Sequence, residues 1–143
     1  CILSRGLGDV YKRQEWNGYG YSLKKVVSNT SIQSGVNFSY TILFTAPAGI
    51  TSLSIQDVIP STLEVVPPLP VPSAVCGTTP SLTVTGPIGS QTVNYNLTGL
   101  PTGCAASGSF TIVVKFKEGT TCHGETARNR AGIFVNDKWE FTP

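Results

Sequence analysis

Three polar residues fall in rows of side chains that are otherwise apolar, and their types could do chemistry together. Alternate residues of an extended strand share a face. Lys25 therefore shares a face with Tyr21, Leu23 and Val27, Asp57 with Leu53, Ile55 and Ile59, and Asn129 with Ala127, Ala131 and Ile133. All three are expected to point inward, where an ammonium or a carboxylate is costly unless paired, so the groups should converge if their strands adjoin. Burial would leave the lysine as a neutral amine able to attack, and would keep the aspartate protonated, able to hydrogen-bond an amide oxygen and to shuttle protons. The plainer alternative is a Lys25 to Asp57 ion pair, with the Asn129 amide spanning backbone groups. Lys24 is a second candidate amine, but its face carries Ser22 and Val26 and reads as wetter.

Other reactive side chains give weaker patterns. Cys76 and Cys104 each sit beside a glycine in loop-like surroundings, Val75-Cys-Gly-Thr and Thr102-Gly-Cys-Ala, and are expected to form a disulfide. Such a bridge is worth about 2 to 5 kcal/mol in a small secreted domain. Cys122 is then free or paired outside this chain; three reduced thiols are the alternative. Cys122 and His123 are adjacent, so an extended backbone sends their side chains to opposite faces and spoils a nucleophile–base pair. No Cys-x-x-Cys, paired histidine or Gly-x-Ser-x-Gly turn is present, and Asp and Glu are scattered singly, so no metal, cofactor or enzymatic turnover is expected. Asn29, Asn37 and Asn96 match the N-glycosylation pattern and are read as unmodified. Trp16, Tyr19 and Tyr21 could stack on a sugar ring, although covering an open end of the fold is the simpler role.

The elements that must position these residues are strands. Thr, Ser, Val, Ile and Tyr dominate, Pro and Gly recur at short intervals, and no 3.6-residue period stands out. Strands are predicted over 19–28, 36–45, 52–58, 63–66, 81–85, 91–97, 109–116 and 125–135. Alternation is clearest where Phe38, Tyr40, Ile42 and Phe44 share one face. The run from Pro67 to Pro72 lacks the donors of a central strand and reads as an extended crossover or an edge. Seven to eight strands with such a crossover predict an all-β, immunoglobulin-like Greek-key sandwich.

Residues 4–14, Ser-Arg-Gly-Leu-Gly-Asp-Val-Tyr-Lys-Arg-Gln, look like the in-frame translation of a sequencing-library adapter, so residues 1–14, Cys1 included, are expected to be non-native. Residues 15–143 are expected to form a single domain, a fragment of a longer protein. The chain has ten Lys and Arg against eight Asp and Glu; without residues 1–14, seven of each sign remain. That balance removes the basic excess a nucleic-acid binder needs. No apolar run is long enough to span a bilayer as a helix. Lys115, Lys117, Arg128 and Arg130 are expected on solvent faces or guarding strand edges.

The succession Leu23-Lys-Lys-Val-Val-Ser-Asn29, Gly35-Val-Asn-Phe-Ser-Tyr-Thr-Ile42, Ile55-Gln-Asp-Val-Ile-Pro60 with Leu63, and Arg128-Asn-Arg-Ala-Gly-Ile133 resembles the bacterial surface repeat called domain of unknown function 11. The resemblance spans most of residues 19–135; the three cysteines and the proline-rich crossover depart from the commonest pattern. It implies an extracellular or cell-surface stalk module of an adhesin-like protein, with neighbouring domains of the same chain as partners. A carbohydrate- or host-protein-binding module is the alternative. The polar trio also resembles collagen-adhesin-type domains, in which a first-strand lysine joins a last-strand asparagine through an isopeptide bond assisted by an acid. By that resemblance Lys25 and Asn129 would be joined and Asp57 would assist.

Overall fold

The computed structural model describes residues 13–18, 20–28, 35–117, 130–135 and 138–141, with side chains placed over 20–28 and 35–117. Ten strands run through these residues: β1 (Arg13–Gly18), β2 (Tyr21–Val27), β3 (Phe38–Ala46), β4 (Ser52–Val58), β5 (Leu63–Val65), β6 (Ser81–Thr85), β7 (Thr92–Thr98), β8 (Ala106–Phe116), β9 (Arg130–Val135) and β10 (Lys138–Phe141). They form two antiparallel sheets of five, ordered β1-β2-β3-β8-β5 and β10-β9-β4-β7-β6. Seven of the eight strands expected from the sequence are present within three residues of their predicted bounds; of the eighth, predicted over 125–135, residues 130–135 form β9 and 125–129 lie outside the described residues, and β1 and β10 add one edge strand to each sheet. The chain is an immunoglobulin-like β-sandwich, as its pattern predicted.

Alternation builds the interior directly. β3 buries Phe38, Tyr40, Ile42, Phe44 and Ala46, and β4 buries Leu53, Ile55 and Asp57. The inner rows of β7 (Val93, Tyr95, Leu97) and β8 (Phe110, Ile112, Val114, Phe116) complete the facing layers. Aromatic rings gather in two groups. Tyr95 stacks on Phe110 at 4.6 Å between centroids and touches Phe44 at 5.3 Å, while Phe38 lies 5.7 Å from Tyr40 and 5.8 Å from Phe116. Burying aromatic side chains of this size dominates the favourable side of folding.

The connections alternate between sheets. β3 leads to β4 and β4 to β5 across the sandwich; the proline-rich segment then carries the chain from β5 to β6 in the opposite sheet. That segment is irregular over residues 66–74, as its missing donors require. Val75 re-enters the core, 4% exposed, and closes a small bridge with Thr78. Gly108 lies beneath it on β8, where an added Cβ would stand 2.8 Å from Val75 Cγ2 and 2.9 Å from Phe44 Cζ, so only glycine lets the crossover sit this close to the sheet.

β1 begins at Arg13, so Arg13 and Gln14 of the adapter-like segment continue the hairpin opposite Val26 and Lys25. An edge strand is held by backbone hydrogen bonds, which tolerate almost any sequence.

Candidate functional site

Lys25 lies in the middle of β2 and Asp57 near the end of β4, in opposite sheets. The burial rows that expose Lys24 partly and enclose Lys25 follow from the two-residue period of β2. Lys25 is 2% exposed and Asp57 0%; they are the two buried charged side chains among the described residues. Lys25 Nζ donates to both carboxylate oxygens, at 2.8 Å to Oδ1 and 2.9 Å to Oδ2. The pair thus crosses the interior of the sandwich and joins the two sheets through one ammonium.

The Tyr40 ring completes the ammonium's surroundings, with Lys25 Nζ 4.5 Å from its centroid. Tyr40 is the Cα partner of Val27, and Lys25 that of Ile42, so Tyr40 and Lys25 are diagonal neighbours on the same inner face. The sequence places Tyr40 in the apolar row of β3, but its role under the ammonium depends on the β2–β3 register. Diagonal pairing of an inward lysine with an inward aromatic was the signal for it.

Burial lowers the Lys25 pKa from 10.5 to about 8, the desolvation of the ammonium outweighing the attraction and hydrogen bonding of Asp57, both of which act to raise it. The Tyr40 hydroxyl is pushed above its ordinary range, first by burial and then by the nearby Asp57 charge. A lysine in this setting keeps an appreciable neutral fraction near physiological pH, which a lysine in water does not.

The third member of the predicted trio, Asn129, lies outside the described residues. β9 begins at the next residue, Arg130, and its Ala131 is the Cα partner of Asp57. β2 and β9 also approach each other across the sandwich, with Cα atoms within 8 Å.

Cys76 and Cys104 form a disulfide, with Cα atoms 6.2 Å apart, that ties the crossover to the loop before β8. Cys122 and His123 lie outside the described residues, as do Tyr19, Arg128 and the glycosylation-pattern Asn29. Tyr21 is buried at 8% exposure and is not available to stack on a sugar; its place at the start of the inner row of β2 explains why. Lys115 sits on β8 between two neighbours, not on an edge, and pairs at 3.2 Å with Glu64 of β5. Among the described residues, no group of three His, Cys, Asp or Glu could hold a metal ion.

No protein-family model and no curated protein sequence matches the chain. Solved structures do. The crystal structure of BcpA, the major pilin subunit of Bacillus cereus, matches with a TM-score of 0.62 at 16% identity over 85% of this chain and 37% of that one. The full-length major pilin SpaD from Corynebacterium diphtheriae matches with a TM-score of 0.61 at 23% identity over 85% of this chain and 33% of that one. The chain is thus similar in fold to about a third of each pilin.

Proposed function

We propose that the domain is a load-bearing, non-enzymatic module of a bacterial cell-surface stalk, pilus or adhesin, locked by an isopeptide bond between Lys25 and Asn129. The observation that carries this reading is the Lys25 ammonium, enclosed at 2% exposure and held by an Asp57 carboxylate from the opposite sheet. A spacer does not need that arrangement for stability, since well-packed apolar residues serve as well or better in place of a buried ion pair. A buried amine beside a carboxyl group that can take and return its protons supplies the nucleophile and the proton shuttle of an amide-forming step.

The register supports the choice of Asn129, which directly precedes the strand that sets Ala131 opposite Asp57. In the reaction, a proton passes from Lys25 to Asp57, and the neutral Nζ attacks the side-chain carbonyl carbon of Asn129. The new C–N bond forms as the bond to Nδ2 breaks; Asp57 gives its proton to the departing nitrogen, which leaves as ammonia, and takes up the second Nζ proton, so that the new amide keeps one N–H and Asp57 ends as the neutral acid. The event happens once per molecule. A bond between β2 and a residue beside β9 would close the domain near both ends of its sequence, so a pulling force would meet a covalent clamp before unzipping strands. Fold likeness to pilin subunits is in keeping with that role, as is the resemblance to surface repeats, and the partners would be adjoining domains of the same chain or polymer.

The test is the intact mass of the chain under reducing and denaturing conditions, beside that of Asp57→Ala. A wild-type mass short by one ammonia, restored in the variant, supports the bond, and peptide mapping then places its ends. The calculated mass in both proteins overturns it and leaves the trio as a hydrogen-bonded cluster.

A further inference from the structure

We infer that β6 is the edge through which two copies of this chain associate, by antiparallel strand pairing about a two-fold axis at Thr83. Each sheet has two edges, and an open edge pairs with other strands unless charge, proline or shortness prevents it. Three of the four edges carry such protection. β1 contains Glu15, outside the adapter-like segment, and β10 contains Lys138 and Glu140. β5 has three residues, includes Glu64 and is followed by Pro67 and Pro68. β6, Ser-Leu-Thr-Val-Thr, has five residues with no charge and no proline among them, although Pro80 precedes it and Pro87 follows Gly86, and among the described residues its one strand partner is β7.

The surroundings of β6 extend this neutrality. From Val65 to Val114 the sequence contains no Asp, Glu, Lys, Arg or His. On the outer face of the sheet, Ser81, Thr83 and Thr85 stand opposite Asn96, Asn94 and Thr92 of β7, which in turn stand opposite Ser54, Gln56 and Val58 of β4. Lateral hydrogen bonds knit this surface, from Ser54 Oγ to Asn96 Oδ1 at 2.7 Å and from Asn94 Nδ2 to Thr85 Oγ1 at 3.2 Å.

A second copy fits because the strand is complementary to itself. Residues directly opposite in a sheet share a face, so a continuous sheet requires pairs of like parity. The register centred on Thr83 pairs all five residues: Ser81 with Thr85, Thr83 with Thr83, and Leu82 with Val84. The outer pairs are hydroxyl to hydroxyl and the inner pairs aliphatic, both favourable, and no like charges oppose each other across the axis. The outcome is isologous and closed, a dimer and not a filament. Five residues bury less than the roughly 1,200 Å² of a standard stable interface, so a single contact is weak and gains strength where several modules are tethered side by side.

Sedimentation of the full chain in a Cys1→Ser, Cys122→Ser background tests the inference, from micromolar to millimolar concentration. The expected result is a mass rising from monomer towards dimer, retained in Thr83→Val and shifted at least tenfold to higher concentration in Thr83→Lys, which sets two ammonium groups face to face. Slower hydrogen exchange at residues 81–85 on concentration should accompany it. A monomer throughout, or a Thr83→Lys protein that dimerises like the wild type, overturns the inference. Should Thr83→Lys fail to fold, the double variant Ser81→Lys, Thr85→Lys sets ammonium groups face to face at both ends of the register and makes the same comparison.

Discussion

Lys25 Nζ stands 2.8 Å from Asp57 Oδ1 and 2.9 Å from Oδ2, in a layer that is otherwise aliphatic and aromatic, and the two residues belong to opposite sheets. Neither charge is tolerable there without the other. Asp57→Ala should therefore lower stability by about 3 to 5 kcal/mol, because it strands a buried ammonium. Lys25→Met combined with Asp57→Ala should recover much of that loss, although it deletes one more polar group. Neither variant can form the proposed bond, so urea unfolding of the two reads the cost of the stranded ammonium alone. A double variant no more stable than Asp57→Ala would show that the ammonium is not stranded.

The lowered pKa of Lys25 sets a direction for the bond-forming rate. The reactive form, neutral Lys25 beside protonated Asp57, holds the same number of protons as the ion pair, so its share is constant below the Lys25 pKa and falls tenfold per pH unit above it. With that pKa near 8, the loss of ammonia after refolding should be level from pH 6 to 7 and slow above pH 8. Intact mass against time at several pH values reads this, and a rate that climbs steadily beyond pH 8 would contradict it.

The Cys76–Cys104 bridge closes a loop with a sequence separation of 28 and fixes the crossover that contains Val75. Loop-closure entropy for that length is worth about 3 to 4 kcal/mol. The variant carrying both Cys76→Ser and Cys104→Ser should lose about that much in chemical denaturation while keeping its strand content by circular dichroism.

Tyr95 is fully enclosed, and its hydroxyl has no hydrogen-bond partner among the described residues. Its ring stacks on Phe110, and Tyr95→Phe keeps that contact. Removing the unpaired hydroxyl should raise stability by about 1 kcal/mol, since a buried polar group without a partner carries its full desolvation cost. Thermal unfolding would register it as a higher midpoint.

Gly108 marks the closest approach of crossover to sheet. Gly108→Ala should cost about 1 to 3 kcal/mol through overpacking against Val75 and Phe44. Val75→Ala in the same chain should relieve part of that cost, a non-additivity measurable by a double-mutant cycle.

What the sequence determined by itself was everything that follows from a two-residue period. Phe38, Tyr40, Ile42 and Phe44 had to face one way, and Lys25 and Asp57 had to fall on inward rows, because strand geometry fixes which neighbours share a face. The crossover was legible from its prolines, and the disulfide from two cysteines in glycine turns. Tertiary structure decided which strands are neighbours, and therefore which inward groups meet. Only the placement of β2 and β4 in opposite sheets turns two misplaced charges into an ion pair, and only the β2–β3 register slides the Tyr40 ring under the ammonium. β1 and β10 were hidden for a related reason: an edge strand is held by backbone bonds to its neighbour and needs no alternating pattern of its own. Local periodicity sets the direction of each side chain, whereas pairing is a long-range choice made by the packing of the whole sandwich.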